Sequence, residues 1–304
     1  MSKYDNINQI IRLENDKINV EILPELGGKI SVFTLKDKYF NVAAENDKRD
    51  YFLPKKDTLF EESDASGFDD TFPNIDAGSI MYNGRKIEYH DHGEIWKNKF
   101  DVIQRTNDMI KMEFVSDEYK YKYEKTISIL GNVMTMNICI KKLDKEELPC
   151  FWTFHDLTTY REDMKLLYPQ EVKKLLNVCE SNELGEPCKV YNINSDEYNF
   201  HGVPNRESNT AMKYYVDGKI DKGYCGYEYP SEGVKFEMKY DTKKLPYLGF
   251  WLTAGKYRGD YNCAFEPSNG FYDSMETAMK NNKFFILSEK NKLEFEIKLK
   301  LSRI

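Results

Sequence analysis

Three of the four histidines in this 304-residue chain lie in two segments that combine aromatic and acidic residues. The first segment, residues 90–96, reads HDHGEIW and contains His92, next to a glycine that lets a ligand approach the backbone closely. The second, residues 150–156, reads CFWTFHD and is typical of a strand that ends in two polar groups, His155 and Asp156. Because imidazole titrates near neutral pH, both segments are candidates for acid–base chemistry.

A third segment, residues 262–270, reads NCAFEPSNG and contains one acid, Glu266. The residues before it can lie in a buried strand, and Pro267 favours an extended conformation at Glu266 and is expected to end the strand there. A carboxylate held at a strand end beside a cleft is a candidate general base. The alternative is structural: an acid at a strand–turn junction and histidines that are satisfied within the fold.

The elements that must position these groups are mostly strands. Alternation of apolar and polar residues places every second side chain on one face, and it recurs from one end of the chain to the other. The clearest examples are residues 18–22, 119–123, 134–140, 234–240 and 293–301. Two modest helices are expected, at 171–180 and at 274–281, and Asp273 or Ser274 could cap the second.

This layout predicts an all-β fold, a large antiparallel β-sandwich with few short helices. The sequence has no linker-like stretch, no break in composition and no repeat, so we expect a single domain over residues 1–304. The acidic segment from Asp57 to Asp70 is interpreted most simply as a solvated loop.

Composition narrows the function classes. The 44 basic and 51 acidic residues give a net charge of −7 without a basic stripe, which disfavours a nucleic-acid partner. No apolar run is long enough to span a membrane and the first residues lack a signal-like apolar core, so we expect a soluble, cytoplasmic protein without membrane association. The six cysteines show no metal-type or redox-type spacing and are expected to be reduced thiols, a Cys179–Cys188 disulfide being the alternative.

The three segments, taken in order, resemble the galactose mutarotase-like superfamily, which includes the aldose 1-epimerase family. Residues 21–30 (EILPELGGKI) look like its early glycine-containing hairpin, and residues 70–75 (DTFPNI) like its Phe-Pro segment before the first histidine. Residues 91–96 are similar to the Asp-His-Gly motif of many members. Residues 245–251 (LPYLGFW) and 265–267 (FEP) resemble the strand pair that carries the family's glutamate base. The resemblance spans most of the chain.

The resemblance implies an isomerase that interconverts the α and β anomers of an aldose without a metal or cofactor. In that scheme Glu266 takes the proton of O1, His155 donates a proton to the ring oxygen O5, and His92 hydrogen-bonds near O5 or O1. The candidates for sugar binding are Trp96, Trp152, Trp251, Asp70 and Asp156. Each tryptophan could stack on the sugar ring or could equally be a core residue. A small-molecule sugar would be the partner, and the protein would be a monomer or a homodimer.

The sequence departs from the better-known members in two places. Asp-Leu-Thr follows His155 where they have proline and an aromatic residue, and their sugar-binding Asn-Arg pair has only a poor match in residues 83–85. Galactose is therefore not implied as the substrate.

Three alternatives remain open at this level. A sugar-binding or sensor protein could use the same fold without catalysis. A metal-dependent enzyme could use His90 and His92, which as i and i+2 in a strand would share one face. A different sugar-active enzyme, such as an epimerase of phosphorylated hexoses, would need converging arginines, for which the candidates are Arg161, Arg206 and Arg258.

Overall fold

The computed structural model describes residues 4–46, 48–271 and 273–304, and these residues form 23 β-strands, three short 3-10 helices and one α-helix. In chain order the strands are β1 (Ile11–Glu14), β2 (Ile18–Leu23), β3 (Lys29–Leu35), β4 (Phe68–Thr71), β5 (Gly78–Tyr82), β6 (Arg85–Tyr89), β7 (Asp101–Arg105), β8 (Met109–Val115), β9 (Tyr121–Leu130), β10 (Val133–Lys142), β11 (Leu148–Cys150), β12 (Thr153–Asp156), β13 (Thr158–Thr159), β14 (Lys165–Leu167), β15 (Lys174–Asn177), β16 (Val190–Asn192), β17 (Thr210–Val216), β18 (Tyr224–Tyr229), β19 (Val234–Tyr240), β20 (Tyr247–Ala254), β21 (Tyr261–Ser268), β22 (Phe285–Leu287) and β23 (Leu293–Arg303). The α-helix α1 is Met275–Lys280, and the 3-10 helices are Pro24–Leu26, Phe60–Glu62 and Arg206–Ser208.

Two large antiparallel sheets face each other. Among the described residues the first sheet has the order β1-β2-β3-β4-β12-β21-β20-β17-β15-β16, with β13 also paired to β21. The second has the order β14-β18-β19-β23-β10-β9-β8-β7. Two small two-stranded sheets, the hairpin β5-β6 and the pair β11-β22, lie outside them.

Aromatic rings join the two sheets across the core. Phe68 of the first sheet stacks on Phe236 of the second with 5.6 Å between ring centroids, and Trp152 packs on Phe295 of the second at 4.5 Å. Burial alternates along β23 as the sequence predicts, with the apolar residues buried and the charged residues exposed. The predicted antiparallel β-sandwich is therefore confirmed.

The two predicted helices have opposite outcomes. Helix α1 lies within the second predicted range, and the Ser274 side chain caps it by accepting a hydrogen bond from the Thr277 amide. The helix predicted at 171–180 is wrong, because Lys174–Asn177 forms strand β15 between β16 and β17. Burial alternates along this strand, so the period of two prevails over the local helical pattern.

The solvated-loop interpretation of residues 57–70 is wrong for its C-terminal part. Asp64, Asp69 and Asp70 are 5%, 2% and 1% exposed. Asp69 and Asp70 are buried because they belong to β4, which lies inside the first sheet. Lys29 Nζ lies 2.6 Å from Asp64 and 3.4 Å from Asp69, and Lys125 Nζ lies 2.8 Å from Asp70. These cations come from distant strands, so the sequence does not reveal that they compensate the buried acids.

Two smaller expectations concern cysteines and membranes. Cys179 and Cys188 are free thiols. Within the described ranges, no helix has both the length and the apolar character that crossing a membrane requires.

Candidate active site

Glu266 lies in the middle of the first sheet, on strand β21. Its Cα partner on β20 is Gly249, and a Cβ atom at that glycine would lie only 3.1 Å from Glu266 Oε2. The glycine therefore leaves the space that the carboxylate occupies. Pro267 does not end the strand as expected, and β21 runs on to Ser268. On the edge away from β20, β21 pairs with β13 up to Cys263 and with β12 only at Ser268. Pro267 therefore lies where that edge has no partner strand.

His155 approaches Glu266 from β12. Its side chain is buried, and its Nε2 lies 4.0 Å from Glu266 Oε1. Strand alternation explains the direction: Phe154 points into the core, where it packs on Phe68, so His155 points to the opposite face of the sheet. Similarly, Phe265 packs on Tyr227 of the second sheet while Glu266 faces away from it.

His92 comes from a turn after β6. Its φ is +54°, and the following Gly93 has φ +65° with no room for a Cβ, which would lie 2.1 Å from the Phe72 carbonyl oxygen. Asp91 accepts a hydrogen bond from His92 Nδ1 at 2.8 Å and one from the Phe60 amide at 2.8 Å. The His92 ring stacks on Phe60 at 4.0 Å and lies 5.8 Å from the His155 ring.

A lysine that sequence reasoning missed completes the cluster. Lys213 on β17 has its Nζ 2.9 Å from Glu266 Oε2 and 2.9 Å from Asp273 Oδ2. The hydroxyl of Tyr215 donates a hydrogen bond to the other oxygen of Asp273. The sequence feature that could have revealed Lys213 is a single cation in the otherwise uncharged strand TAMKYYV. Asp273 has no comparable feature, since in sequence it is only a candidate helix cap.

The pKa values of the cluster follow from its burial and charges. Burial raises the pKa of Glu266, Asp273 raises it further, and Lys213 opposes both. Burial lowers the pKa of His155 well below its usual value, and the positive charge of Lys213 acts in the same direction. The pKa of Lys213 is raised, because the two carboxylates outweigh the opposing effect of burial. At neutral pH, therefore, Lys213 is charged and His155 is neutral.

These groups line one cavity of about 220 Å³. That volume is below the roughly 300–1,000 Å³ of sites for drug-sized ligands and suits a smaller polar molecule. The polar lining residues are Asp76, His92, His155, Lys213, Asn262, Glu266 and Asp273. The remaining lining residues are Phe60, Ala65, Ile75, Leu157, Trp251 and Tyr257.

Of the three tryptophans proposed to bind sugar, Trp251 lines this cavity. Its Nε1 donates to Asn262 Oδ1 at 3.3 Å, and Tyr257 packs edge-on against its ring. Trp152 is instead a fully buried core residue, since it precedes Phe154 by two residues and shares its face. Trp96 is 2% exposed and lies behind Phe60, so neither of these two offers a stacking surface in the cavity.

The two proposed acids also lie outside the lining. Asp70 accepts a hydrogen bond from Tyr123 and pairs with Lys125 inside the sandwich. Asp156 accepts one from Tyr227 at 3.3 Å, and burial raises its pKa well above the usual value. Asp156 lies two residues after Phe154 and therefore points into the core, away from His155.

The geometry assumed for a His90–His92 metal pair is not found. Strand β6 ends at Tyr89, so the two histidines do not share a strand face. His90 Nε2 lies 2.9 Å from Glu118, outside the cavity that His92 lines. The arginines proposed for phosphate do not converge here either: Arg161 and Arg206 line a neighbouring cavity, and Arg258 pairs with Asp260.

Comparison with known proteins identifies the fold. A galactose mutarotase-like protein from Lactobacillus casei superposes with a TM-score of 0.74 at 15% identity, over 97% of this chain and 100% of that one. One from Clostridium acetobutylicum gives 0.73 at 15%, over 97% and 95% of the two chains. A galactose mutarotase related enzyme from Lactobacillus acidophilus gives 0.68 at 13%, over 97% of each chain. No protein-family model and no curated protein matches the sequence.

The chain therefore has the galactose mutarotase-like fold, as its motifs predict.

Proposed function

We propose that this protein is an aldose 1-epimerase-like isomerase that interconverts the α and β anomers of an aldose. The observation that carries the proposal is the convergence of Glu266, His155 and His92 on one cavity of sugar-ring size. A buried base whose oxygen lies 4.0 Å from the nitrogen of a buried imidazole provides the two groups that ring opening needs. The mutarotase-like names of the structural neighbours support the same class.

Glu266 is the base that starts ring opening. As it takes the proton of O1, the O–H electron pair forms the C1=O1 double bond, and the C1–O5 bond breaks with its electrons going to O5. A carboxylate whose pKa is raised by burial binds that proton more strongly than an exposed one. Lys213 keeps the charge of the ionised form compensated inside the cavity.

His155 donates the proton that O5 requires. Its Nε2 lies 4.0 Å from Glu266 Oε1. Because the imidazole is neutral at neutral pH, the proton that it gives to O5 is the one on Nε2. The proton that Glu266 took from O1 replaces it on Nε2, so His155 ends the step neutral and the net change is the transfer of one proton from O1 to O5. His92, oriented through its Nδ1 by Asp91, presents its other nitrogen as a hydrogen-bonding group for O1 or O5. After rotation about C1–C2, the ring closes with the roles of Glu266 and His155 reversed.

Glu266→Gln tests the base. The amide keeps the shape but cannot take a proton, so we expect anomer exchange to fall by about 10²- to 10⁴-fold with sugar binding mostly intact. Polarimetry or NMR exchange with a panel of aldoses measures the rate. We expect His155→Ala to be similarly severe and His92→Ala to be milder.

The matched control is Glu94→Gln, because Glu94 is also a buried glutamate with a raised pKa but lies outside the cavity lining. This variant should keep the wild-type rate. Near-normal turnover in Glu266→Gln would contradict the proposal. A wild-type protein that binds aldoses without accelerating their equilibration would instead be the sugar sensor of the alternative interpretation.

A further inference from the structure

A second and larger cavity, of about 470 Å³, lies beside the candidate active site. The two cavities share two lining residues, Ala65 and Asn262. Asn262 forms the boundary: its Oδ1 accepts from Trp251 in the first cavity, and its Nδ2 lies 3.4 Å from the Ala65 carbonyl oxygen. A ligand that extends past Asn262 would therefore enter the second cavity.

The distance along β21 exceeds the length of one sugar ring. Asn262 and Glu266 lie on one face of the strand and four residues apart, which is roughly 13 Å at the usual rise per residue. A pyranose measures only about 5.5 Å from O1 to O4, given standard bond lengths. A ring with its C1 at Glu266 thus ends before the boundary, and the second cavity needs a further unit to fill it.

The lining of the second cavity offers flat rings and hydrogen-bond donors. The Arg206 guanidinium lies over the Tyr261 ring at 4.3 Å and near the Tyr160 ring at 5.7 Å. No carboxylate within the described ranges forms an ion pair with Arg206, whereas Arg161 is held by Glu232 at 2.7 Å. The donors of Arg206 are thus available to a ligand. Tyr39, at the rim, is fully exposed.

We propose that the second cavity is a sugar subsite and that the substrate is a disaccharide or longer glycan. Its reducing-end ring would occupy the cavity of Glu266, and the next ring would contact Tyr261 and Arg206. Aromatic side chains combined with a few hydrogen-bond donors commonly bind a ligand that has both a flat face and polar groups. This inference rests on the proposed function only for the placement of the reducing end.

Binding and turnover are measured separately to test it. Calorimetric titration with glucose, galactose, cellobiose and lactose gives the affinities. We expect at least one disaccharide to bind about tenfold more tightly than its reducing-end monosaccharide. Arg206→Ala and Tyr261→Ala should remove that difference and leave monosaccharide affinity unchanged.

The matched control is Lys189→Ala, which removes another exposed cation that lies over a tyrosine ring, at 4.4 Å from Tyr191 and outside both cavities. It should change neither affinity. Equal or weaker binding of both disaccharides by the wild type would overturn the subsite, and so would equal losses for mono- and disaccharides in both variants. A disaccharide preference without accelerated anomer exchange would support the subsite and contradict only the proposed isomerase.

Discussion

Lys213 shows how one residue sets the chemistry of its neighbours. It contacts both Glu266 and Asp273 at 2.9 Å, so it lowers the pKa of a base that burial and Asp273 raise. The proposed activity requires the ionised Glu266. The activity is therefore present at pH values above the pKa of Glu266 and is lost as the pH falls through that pKa.

Lys213→Met should shift this loss to higher pH, because it removes the group that lowers the pKa of Glu266. Asp273→Asn should shift it to lower pH, because it removes a group that raises the same pKa. The measurement is kcat/KM for anomer exchange against pH. Lys142→Met, which removes a lysine 8% exposed and outside the cavity, is the control and should leave the profile in place. An unmoved profile in both site variants would contradict the assignment of Glu266 as the titrating base.

At the scale of elements, three neighbouring strands hold the cluster in register. Tyr215, Gly249 and Glu266 form one row across β17, β20 and β21, and Lys213 pairs with Trp251 in the next row. These side chains share one face because paired residues in antiparallel strands point the same way. The row places a glycine between two large side chains, so the sheet itself makes the room for the base.

Gly249→Ala should therefore damage activity more than a glycine substitution usually does. The new Cβ would lie 3.1 Å from Glu266 Oε2 and 3.0 Å from the Tyr215 ring, so one of them must move. Misplacement of a catalytic group by about 1 Å can cost about 10²-fold in rate. Contacts of 3.0–3.1 Å require a smaller shift, so we expect a loss of up to about tenfold in kcat. Gly78→Ala, at a strand glycine with no atom within 4 Å of the new Cβ, should be harmless. Equal rates for the two variants would show that Glu266 tolerates displacement.

At the scale of the whole molecule, apolar residues from both sheets form one continuous cluster, with members as distant as Ile11 and Leu301. We propose on this basis that the chain is a single domain. The candidate site lies on the face of the first sheet turned away from this cluster, and its buried charges couple it to the stability of the fold. The oligomeric state, a monomer or a homodimer, stays a prediction.

Buried His155 should make the folded state sensitive to acid. Its pKa is well below 6.5 in the folded state, whereas in the unfolded chain it is near that value. Above pH 6.5 both states are neutral, and below it the unfolded state binds a proton that the folded state does not. The free energy of unfolding should therefore fall as the pH drops below 6.5.

Urea unfolding at pH 7.5, 6.5 and 5.5 measures this slope, and His155→Gln should reduce it. His201→Gln is the control, since His201 is exposed, and it should leave the slope unchanged. The same slope in wild type and His155→Gln would assign the acid sensitivity to other groups.

The sequence by itself determined the fold class, because alternation of apolar and polar residues is a local property that survives in every strand of a half-buried sheet. It also selected Glu266, His155 and His92 as candidate site residues, because their neighbours in the chain resemble known motifs. The sequence also selected Trp251, which lines the cavity, together with Trp96 and Trp152, which do not. It could not separate them, because a sequence does not say which face of a strand is turned to the core.

Only the tertiary structure decided which residues share the cavity. Lys213 is distant from Glu266 in sequence, and it meets Glu266 because β17 and β21 both pair with β20. Asp273 follows Glu266 closely in the chain, but only the fold brings it within 2.9 Å of Lys213, just before the start of α1. The same holds for Asp70, which looks solvated in sequence but is buried because β4 lies inside the first sheet, where Lys125 from the other sheet compensates its charge. Such pairings depend on the order of strands, and that order is set by packing over the whole chain, which no local pattern records.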